Sequence, residues 1–133
     1  MNIENILNLN EEVESFHTNI EKETIENSHF RKVLFTSKKL QLVVMSLKPE
    51  EEIGLETHSE NDQFIRVDKG SGKAIIGEEE FILKDGDAII IASGKEHNII
   101  AGEKGLKLYT LYSPPHHDDK AIHKTKDESE KEH

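Results

Sequence analysis

The 133-residue chain contains no cysteine. Neither a disulfide framework nor thiolate ligation of zinc is therefore available to it. Any metal site must be built from histidine, aspartate, glutamate, glutamine or backbone oxygen, which favours hard or borderline metals. The length fits a single domain that buries one core without covalent cross-links.

Positive charge and long apolar runs are also scarce. Lysine and arginine number 17 against 27 aspartates and glutamates, which leaves a net charge of −10. This balance repels phosphate backbones and anionic membrane surfaces, so we expect no nucleic acid and no membrane as partner. The first residues do not resemble a signal peptide, and no stretch approaches the roughly 20 apolar residues that span a bilayer. The sequence predicts a soluble, cytoplasmic protein.

Residues 1–29 are interpreted as a polar N-terminal arm. Ile3, Ile6 and Leu7, with Leu9 or Val13, are spaced as one face of a short helix. Two alternatives stay open for this arm. It packs on the outside of the main body or on a partner subunit, or it is a partly frayed terminus.

Residues 30–113 have the periodicity of strands. Short runs rich in β-branched residues alternate with turn residues, chiefly glycine paired with serine, glutamate or aspartate. No long helical pattern interrupts them, so the pattern predicts an antiparallel sandwich or barrel whose mouth or interior is the pocket. The predicted strands are 30–35, 40–47, 63–67, 73–76, 80–83, 88–91, 98–100 and 106–112.

Residues 114–133 are interpreted as a polar tail, because two prolines end the last strand and few core-forming residues follow. The tail contains His116, His117 and His123 beside Asp118 and Asp119, which suggests a second metal cluster. A mobile polar segment does not readily preorganise such a site, and a solvated tail with adventitious metal affinity is the simpler interpretation.

Four residues could converge on one metal ion. Glu56 and His58 are two apart and therefore face the same side of a strand, Gln63 follows shortly after, and His97 arrives from a later segment. Two histidines and one carboxylate form a set that holds a divalent transition metal and leaves coordination positions open. Ligand type does not distinguish iron, manganese, nickel or zinc, so each remains a candidate.

The spacing of these residues resembles the first motif of the cupin superfamily. That motif has a glycine, five residues, His-x-His, three or four residues, a glutamate, six residues and a glycine. Here the same spacing contains Glu50, Glu56-x-His58, Gln63 and Gly70.

A second cupin motif follows in the right order. It has a glycine, five residues, Pro-x-Gly, two residues, a histidine, three residues and an asparagine. Here it contains Gly86, Ala92-Ser93-Gly94, His97 and Ala101. Two separated motifs in order are more specific than one. The resemblance, over residues 30–112, implies a small single-domain bacterial cupin (a monocupin of the cupin_2 type). Its expected fold is all-β, an antiparallel double-stranded β-helix or jelly-roll barrel, with a short N-terminal helical arm.

The departures from the motif fall on the ligands. Glu56 replaces a histidine and Gln63 replaces a glutamate, so the total ligand charge is preserved. The set implied by the resemblance is Glu56, His58 and His97, with Gln63 as a weak fourth ligand or an outer hydrogen-bond partner. The alternative is a barrel that has lost its metal, as some sugar-binding and structural cupins have, and binds a polar ligand through Glu56 and His58 directly.

Three classes of function follow from the resemblance. The first is a metal-dependent isomerase, lyase or dioxygenase acting on a small sugar-like or acid-like molecule, for which mannose-6-phosphate isomerase is one model. The second is a non-catalytic module that binds a small molecule or the metal. The third is an interaction protein with a vestigial site. A homodimer is expected, formed by the N-terminal arm and strand 40–47.

Overall fold

Eight strands and two short helices make up the part of the chain that the computed structural model describes, residues 15–131. The elements in chain order are α1 (Ile20–Glu26), β1 (Arg31–Thr36), β2 (Gln41–Leu47), β3 (Glu56–Thr57), β4 (Asp62–Ile76), β5 (Glu79–Lys84), β6 (Ala88–Ile91), β7 (Glu96–Ser113), β8 (Ile122–His123) and α2 (Lys126–Lys131).

The strands form one antiparallel sheet that folds back on itself. Its main path runs β5, β4, β7, β2, β1, β8, with β3 paired to β7 and β6 paired to β4. His97 and Tyr112 lie at opposite ends of β7, and fifteen extended residues would separate them by about 50 Å. Yet the rings of both lie within 6 Å of the His58 ring, at 5.1 and 5.7 Å. The long strands therefore bend, and both of their ends meet at one opening, here called the mouth.

The bend lies where the sequence predicted turns. Predicted strands 63–67 and 73–76 are the two halves of β4, and 98–100 and 106–112 are the two halves of β7. The β4–β7 register shifts between Gly70 and Gly72. A Cβ on Gly70 would lie 2.1 Å from the carbonyl oxygen of Gly105. The glycines thus allow close backbone approach inside a continuous strand pair, and they do not end the strands.

Aliphatic side chains fill the space between the two halves of the bent sheet and form the core. Alternate residues of β4 and β7 point inward, as the period of a strand requires. Fully buried members include Val43, Met45, Ile65, Val67 and Leu108. The all-β, antiparallel barrel architecture predicted from the sequence is therefore confirmed.

The predicted arm contains α1, which Asn19 caps by accepting a hydrogen bond from the backbone of Lys22. The helix predicted from Ile3, Ile6 and Leu7 lies outside the described residues. Within residues 15–131, neither helix is long and apolar enough to cross a membrane.

The segment after Pro115 is more regular than its composition predicts. Strand β8 pairs with β1, and α2 follows it. Buried His123 and Ser129 both contact the Arg31 side chain of β1, which supplies the polar contacts that hold this segment to the barrel. The domain boundaries at 29 and 113 stay a prediction.

Candidate metal centre

Three of the four predicted ligands lie together at the mouth. Glu56 of β3 stands directly opposite His97 of β7, so their side chains share a face, and His58 follows two residues after Glu56. One potential ligand atom from each of the three lies within 4.8 Å of the other two. Two separated segments of the chain thus supply one cluster of two imidazoles and one carboxylate.

His58 is neutral in this cluster. It is buried, and burial lowers its pKa to about 4, with further lowering by His97 and by the positive charge of Arg31. Its Nε2 atom is buried without a hydrogen-bond partner and lies 4.0 Å from Oε1 of Glu56. A neutral imidazole with an unused ring nitrogen is the form that binds a metal.

His97 is oriented by its own backbone neighbourhood. Its Nδ1 lies 2.9 Å from the carbonyl oxygen of Lys95. Because a carbonyl oxygen only accepts, Nδ1 carries the proton and Nε2 keeps a lone pair. This is the arrangement by which metal-bound histidines are usually held in place.

Gln63 lies at the mouth end of β4, beside Tyr112 in the β4–β7 register. Its Nε2 donates to Oγ1 of Thr110 at 3.0 Å, while its Oε1 is buried without a partner. An amide oxygen left unpaired in the interior is costly unless a cation or donor occupies the site.

The donor set fits a divalent transition metal. Ligand atoms about 2.0–2.2 Å from such an ion lie at most about 4 Å apart, so the cluster must contract slightly on binding. The two unpaired buried atoms, His58 Nε2 and Gln63 Oε1, are both potential ligands. Metal binding would satisfy both atoms at once.

A strap formed by residues 114–117 lies across the mouth. The side chain of Asn61 donates to the backbone oxygens of Pro114 and Pro115. Gln41, fully buried, accepts from the backbone N–H groups of His116 and His117 and donates to the oxygen of His117. Two side chains of the barrel thus hold the strap in place.

The strap brings two histidines of the predicted tail to the candidate metal centre. The ring of His116 lies 4.3 Å from that of His58, and Nε2 of His117 lies 3.4 Å from the hydroxyl of Tyr112. Among residues 15–131, the histidines and aspartates of this tail form no metal-binding cluster of their own. The Pro-Pro-His-His sequence does not by itself predict that these histidines lie beside Glu56, His58 and His97. The contacts that hold the strap place them there.

Against a model of the cupin domain family, residues 43–112 match. The chain belongs to the cupin family. Among related proteins, this cupin is 44% identical over 104 residues to the uncharacterized protein L612 of Acanthamoeba polyphaga mimivirus, which covers 74% of this chain. It is 40% identical over 118 residues to the uncharacterized protein YrkC of Bacillus subtilis, which covers 84% of this chain. The matched region spans 65% and 63% of the lengths of these relatives.

Solved structures agree with this architecture. BH2720 from Bacillus halodurans is 37% identical, superposes with a TM-score of 0.87, and the match covers 90% of this chain and 96% of BH2720. KdgF from Halomonas sp. is 24% identical with a TM-score of 0.66, and the match covers 78% of this chain and 96% of KdgF. The second likeness shows the fold alone.

Residues on the outer face of this cupin behave as strand alternation predicts. Arg66, which alternates with Gln63, lies outside the barrel, and its Nε is 3.8 Å from Oδ1 of Asp68. Tyr109 contacts Phe64 on the same outer face. Neither Arg66 nor Tyr109 reaches the candidate metal centre.

Two further residues lie at the interior, and sequence reasoning missed Arg31. Tyr112 is buried against His58, and burial raises the pKa of its hydroxyl, so the phenol stays protonated. Arg31 is buried at the start of β1. The available signal for Arg31 was its alternation with Val33, which places a charged side chain on the inward face.

Proposed function

We propose that this cupin binds one divalent transition metal through Glu56, His58 and His97, with Gln63 as the fourth ligand. The carrying observation is the convergence of two imidazoles and a carboxylate within 4.8 Å beside two unpaired buried atoms. The metal is iron, manganese, nickel or zinc, because imidazole and carboxylate accept each of them.

The bound metal would bind a small polar molecule. That molecule would enter at the mouth, where about a third of the Glu56 side chain is exposed. When bound, such an ion polarises a carbonyl or holds a substrate oxygen. Tyr112, protonated at neutral pH, would donate a hydrogen bond at the site, and the strap would limit access of water. Isomerase, including the mannose-6-phosphate isomerase type, lyase and dioxygenase activities are the candidates.

A non-catalytic binding module is the second candidate. Glu56 would be occupied as a ligand, and the raised pKa of Tyr112 makes its hydroxyl a poor base at neutral pH. Neither group is then available to abstract a proton from a substrate. This observation favours binding of a small molecule or of the metal itself without turnover.

Elemental analysis of protein purified without an affinity tag tests the metal site. We expect about one equivalent of a transition metal in the natural protein and none in His58→Ala or His97→Ala. His17→Ala is the matched control, because His17 is an exposed histidine, and it should retain the metal. An iron-loaded protein would then be screened for oxygen uptake, and a zinc, manganese or nickel protein for isomerase and lyase activity.

The opposite result is equally defined. If no metal is present and none binds on addition of each of the four ions, metal binding is refuted. Metal-free protein that still binds sugars or small acids would then support the module.

We also propose a cytoplasmic homodimer in which the N-terminal arm and β2 form the contact. Its support is the exposure of Phe16 in the arm and of Leu40 immediately before β2, which are 42% and 46% accessible. Light scattering over a wide concentration range should give the dimer mass, and a constant monomer mass would contradict it.

A further inference from the structure

A basic cleft lies at the bend of the sheet. It has a volume of about 590 Å³, and its charged lining residues are four lysines and one aspartate, namely Lys69, Lys84, Lys104, Lys107 and Asp85. The chain as a whole has 27 acidic residues against 17 basic ones. The cleft therefore has the opposite sign of charge to the protein that surrounds it.

Two of the lysines and a serine form a row across three strands. Lys107 of β7 stands opposite Lys69 of β4 on one side and opposite Ser46 of β2 on the other, and all three line the basic cleft. Leu106 and Leu108, the neighbours of Lys107 along β7, are buried in the core, so Lys107 points to the outer face. Residues opposite each other share a face, which places the whole row on the outer face of the sheet.

Lys69 and Lys107 repel each other without a nearby countercharge. Cβ atoms of directly opposite residues are about 4.5–5.5 Å apart, and like charges at such positions destabilise a sheet. Lys107 is half-buried, and its Nζ donates to the carbonyl oxygen of Asn27 at the end of α1. Burial lowers the pKa of Lys107, and the positive charge of Lys69 lowers it further. Among residues 15–131, none of the ion pairs includes any of the four lysines, so an anion in the cleft would relieve this repulsion.

The turn between β5 and β6 forms one wall of the basic cleft and is fastened to the bend. Oδ1 of Asp85 accepts from the backbone N–H of Gly70 at 2.8 Å, and Oδ2 of Asp87 accepts from the backbone N–H of Lys84 at 3.0 Å. The aspartate of the cleft is thus engaged by the backbone. The lysines are left as the charged groups that face a ligand.

We propose that the basic cleft is a second ligand site, separate from the candidate metal centre, and that it binds the diphosphate group of a small molecule. Lys107 precedes Tyr112 of the mouth by five residues on β7, which corresponds to about 17 Å of extended strand. A small molecule bound at the metal does not span this distance. The inference therefore goes beyond the proposed function and does not depend on it.

Charge and donor geometry favour two adjacent phosphate groups. Four lysines against one aspartate leave a surplus of three positive charges. A single phosphate group carries at most about two negative charges near neutral pH, so two phosphates come closer to balance. Lysine is a point charge without the planar fork by which arginine holds a carboxylate, and neither arginine of the chain lines the cleft.

The dimensions of the basic cleft favour a small molecule over a macromolecule. Its volume lies within the range of about 300–1,000 Å³ that is typical of small-molecule sites. A nucleic acid or an anionic membrane would extend past the cleft and meet a protein whose net charge is −10. A compact diphosphate meets only the cleft.

Titration of the full chain with pyrophosphate tests the site. Pyrophosphate also binds metals, so calorimetry and amide NMR are carried out on protein from which metal has been removed. We expect pyrophosphate to bind and to shift the amide signals of Gly70 and Ser71, while the signal of His97 stays unchanged.

Substitution of the lysines locates the binding energy. Lys69→Gln and Lys107→Gln should each weaken the affinity for pyrophosphate about tenfold, because each removes a charged donor. Lys39→Gln is the matched control, since Lys39 is an exposed lysine outside the cleft, and it should leave the affinity unchanged.

Asp85→Asn changes the affinity in the opposite direction. The side-chain oxygen of asparagine can still accept from Gly70, while a negative charge leaves the cleft. Affinity for pyrophosphate should rise several-fold. A fall or no change would contradict the proposal, because disturbance of the cleft alone does not improve binding.

Comparison ligands test the chemistry of the site. Pyrophosphate should bind about tenfold more tightly than phosphate. Binding of ADP at least as tight as that of pyrophosphate would assign the site to organic diphosphates, and weaker binding would assign it to inorganic pyrophosphate. Both results support a diphosphate site. Tighter binding of citrate or of a single-stranded oligonucleotide overturns it.

The outcomes separate the basic cleft from the proposed metal site. Pyrophosphate binding that needs bound metal and is lost in His58→Ala, but not in Lys69→Gln or Lys107→Gln, overturns the cleft and leaves the metal site standing. Absence of pyrophosphate binding from metal-free protein overturns it as well. A protein that binds none of the four metals, yet binds pyrophosphate through the two lysines, refutes the metal site and supports the cleft.

Discussion

The two ends of the barrel are built by the same strands, β4 and β7, yet they differ in chemistry. At the bend, the inward side chains are aliphatic, among them Leu47 and Leu106, and backbone approaches backbone at Gly70. At the mouth, the inward positions hold Gln63 and His97, and buried polar atoms lack partners. Alternation along each strand is the same at both ends. Only residue identity changes.

This contrast separates stability from ligand binding within one fold. Burial of aliphatic surface at the bend and in the adjoining core drives folding without any ligand. At the mouth, the unpaired Nε2 of His58 and Oε1 of Gln63 oppose folding until something binds them. A ligand that binds at the mouth of the folded protein, and not to the unfolded chain, should therefore raise the free energy of unfolding.

Truncation of the core should have the largest effect. Leu108→Ala removes a fully buried side chain, and we expect the free energy of unfolding to fall by about 4 kcal/mol. Urea denaturation of the metal-free protein measures this, and Ile82→Ala, at a position 73% exposed, should change it by less than about 0.5 kcal/mol. A similar loss in both variants would contradict the location of the core.

Acid should destabilise the mouth through His58. Its pKa falls from 6.5 to about 4 on folding, so below pH 6.5 the unfolded chain binds a proton that the folded chain excludes. The free energy of unfolding of the metal-free protein should therefore decrease between pH 6.5 and 4, by as much as about 3 kcal/mol. Other groups also titrate there, so the comparison is with His58→Gln, whose decrease should be smaller. Equal slopes would refute the shift.

Release of the strap should cost less. Gln41→Leu removes the amide that hydrogen-bonds to the backbone of His116 and His117. The backbone N–H groups of both residues and the carbonyl oxygen of His117 then lose this partner. We expect about 2 kcal/mol of lost stability and about tenfold faster hydrogen exchange at these two amides. Thr36→Ala, which removes only the neighbouring partner of Gln41, is the control for local disturbance. Unchanged exchange in Gln41→Leu would show that other contacts hold the strap.

The smallest predicted effect concerns ligand charge. Gln63→Glu replaces the amide by a carboxylate at the same position, and Thr110, whose Oγ1 accepts from the Gln63 amide, can turn its hydroxyl to donate to the carboxylate. Affinity for a divalent metal should rise about tenfold, measured by competition with a chelator. Thr110→Val tests whether orientation of Gln63 contributes, and it should lower the affinity. No change in either variant would place Gln63 outside the coordination sphere.

Sequence reasoning recovered most of the fold because strand periodicity and turn residues are local signals. It located Glu56, His58 and His97 correctly as neighbours, since their spacing matches a two-motif pattern. It treated residues 114–133 as a tail, because the contacts of Arg31 with His123 and Ser129 join residues more than 90 positions apart. Partners at such separation leave no trace in local composition.

The sequence by itself determined which side chains face inward and which ligand types are available, because alternation and the absence of cysteine are properties of the chain alone. Tertiary structure decided where β4 and β7 bend, how the strap crosses the mouth, and that the charge of Arg31 has no carboxylate beside it in the described part of the chain. The physical reason is that each of these features depends on which distant groups pack together. That packing forms only when the two halves of the bent sheet come into contact.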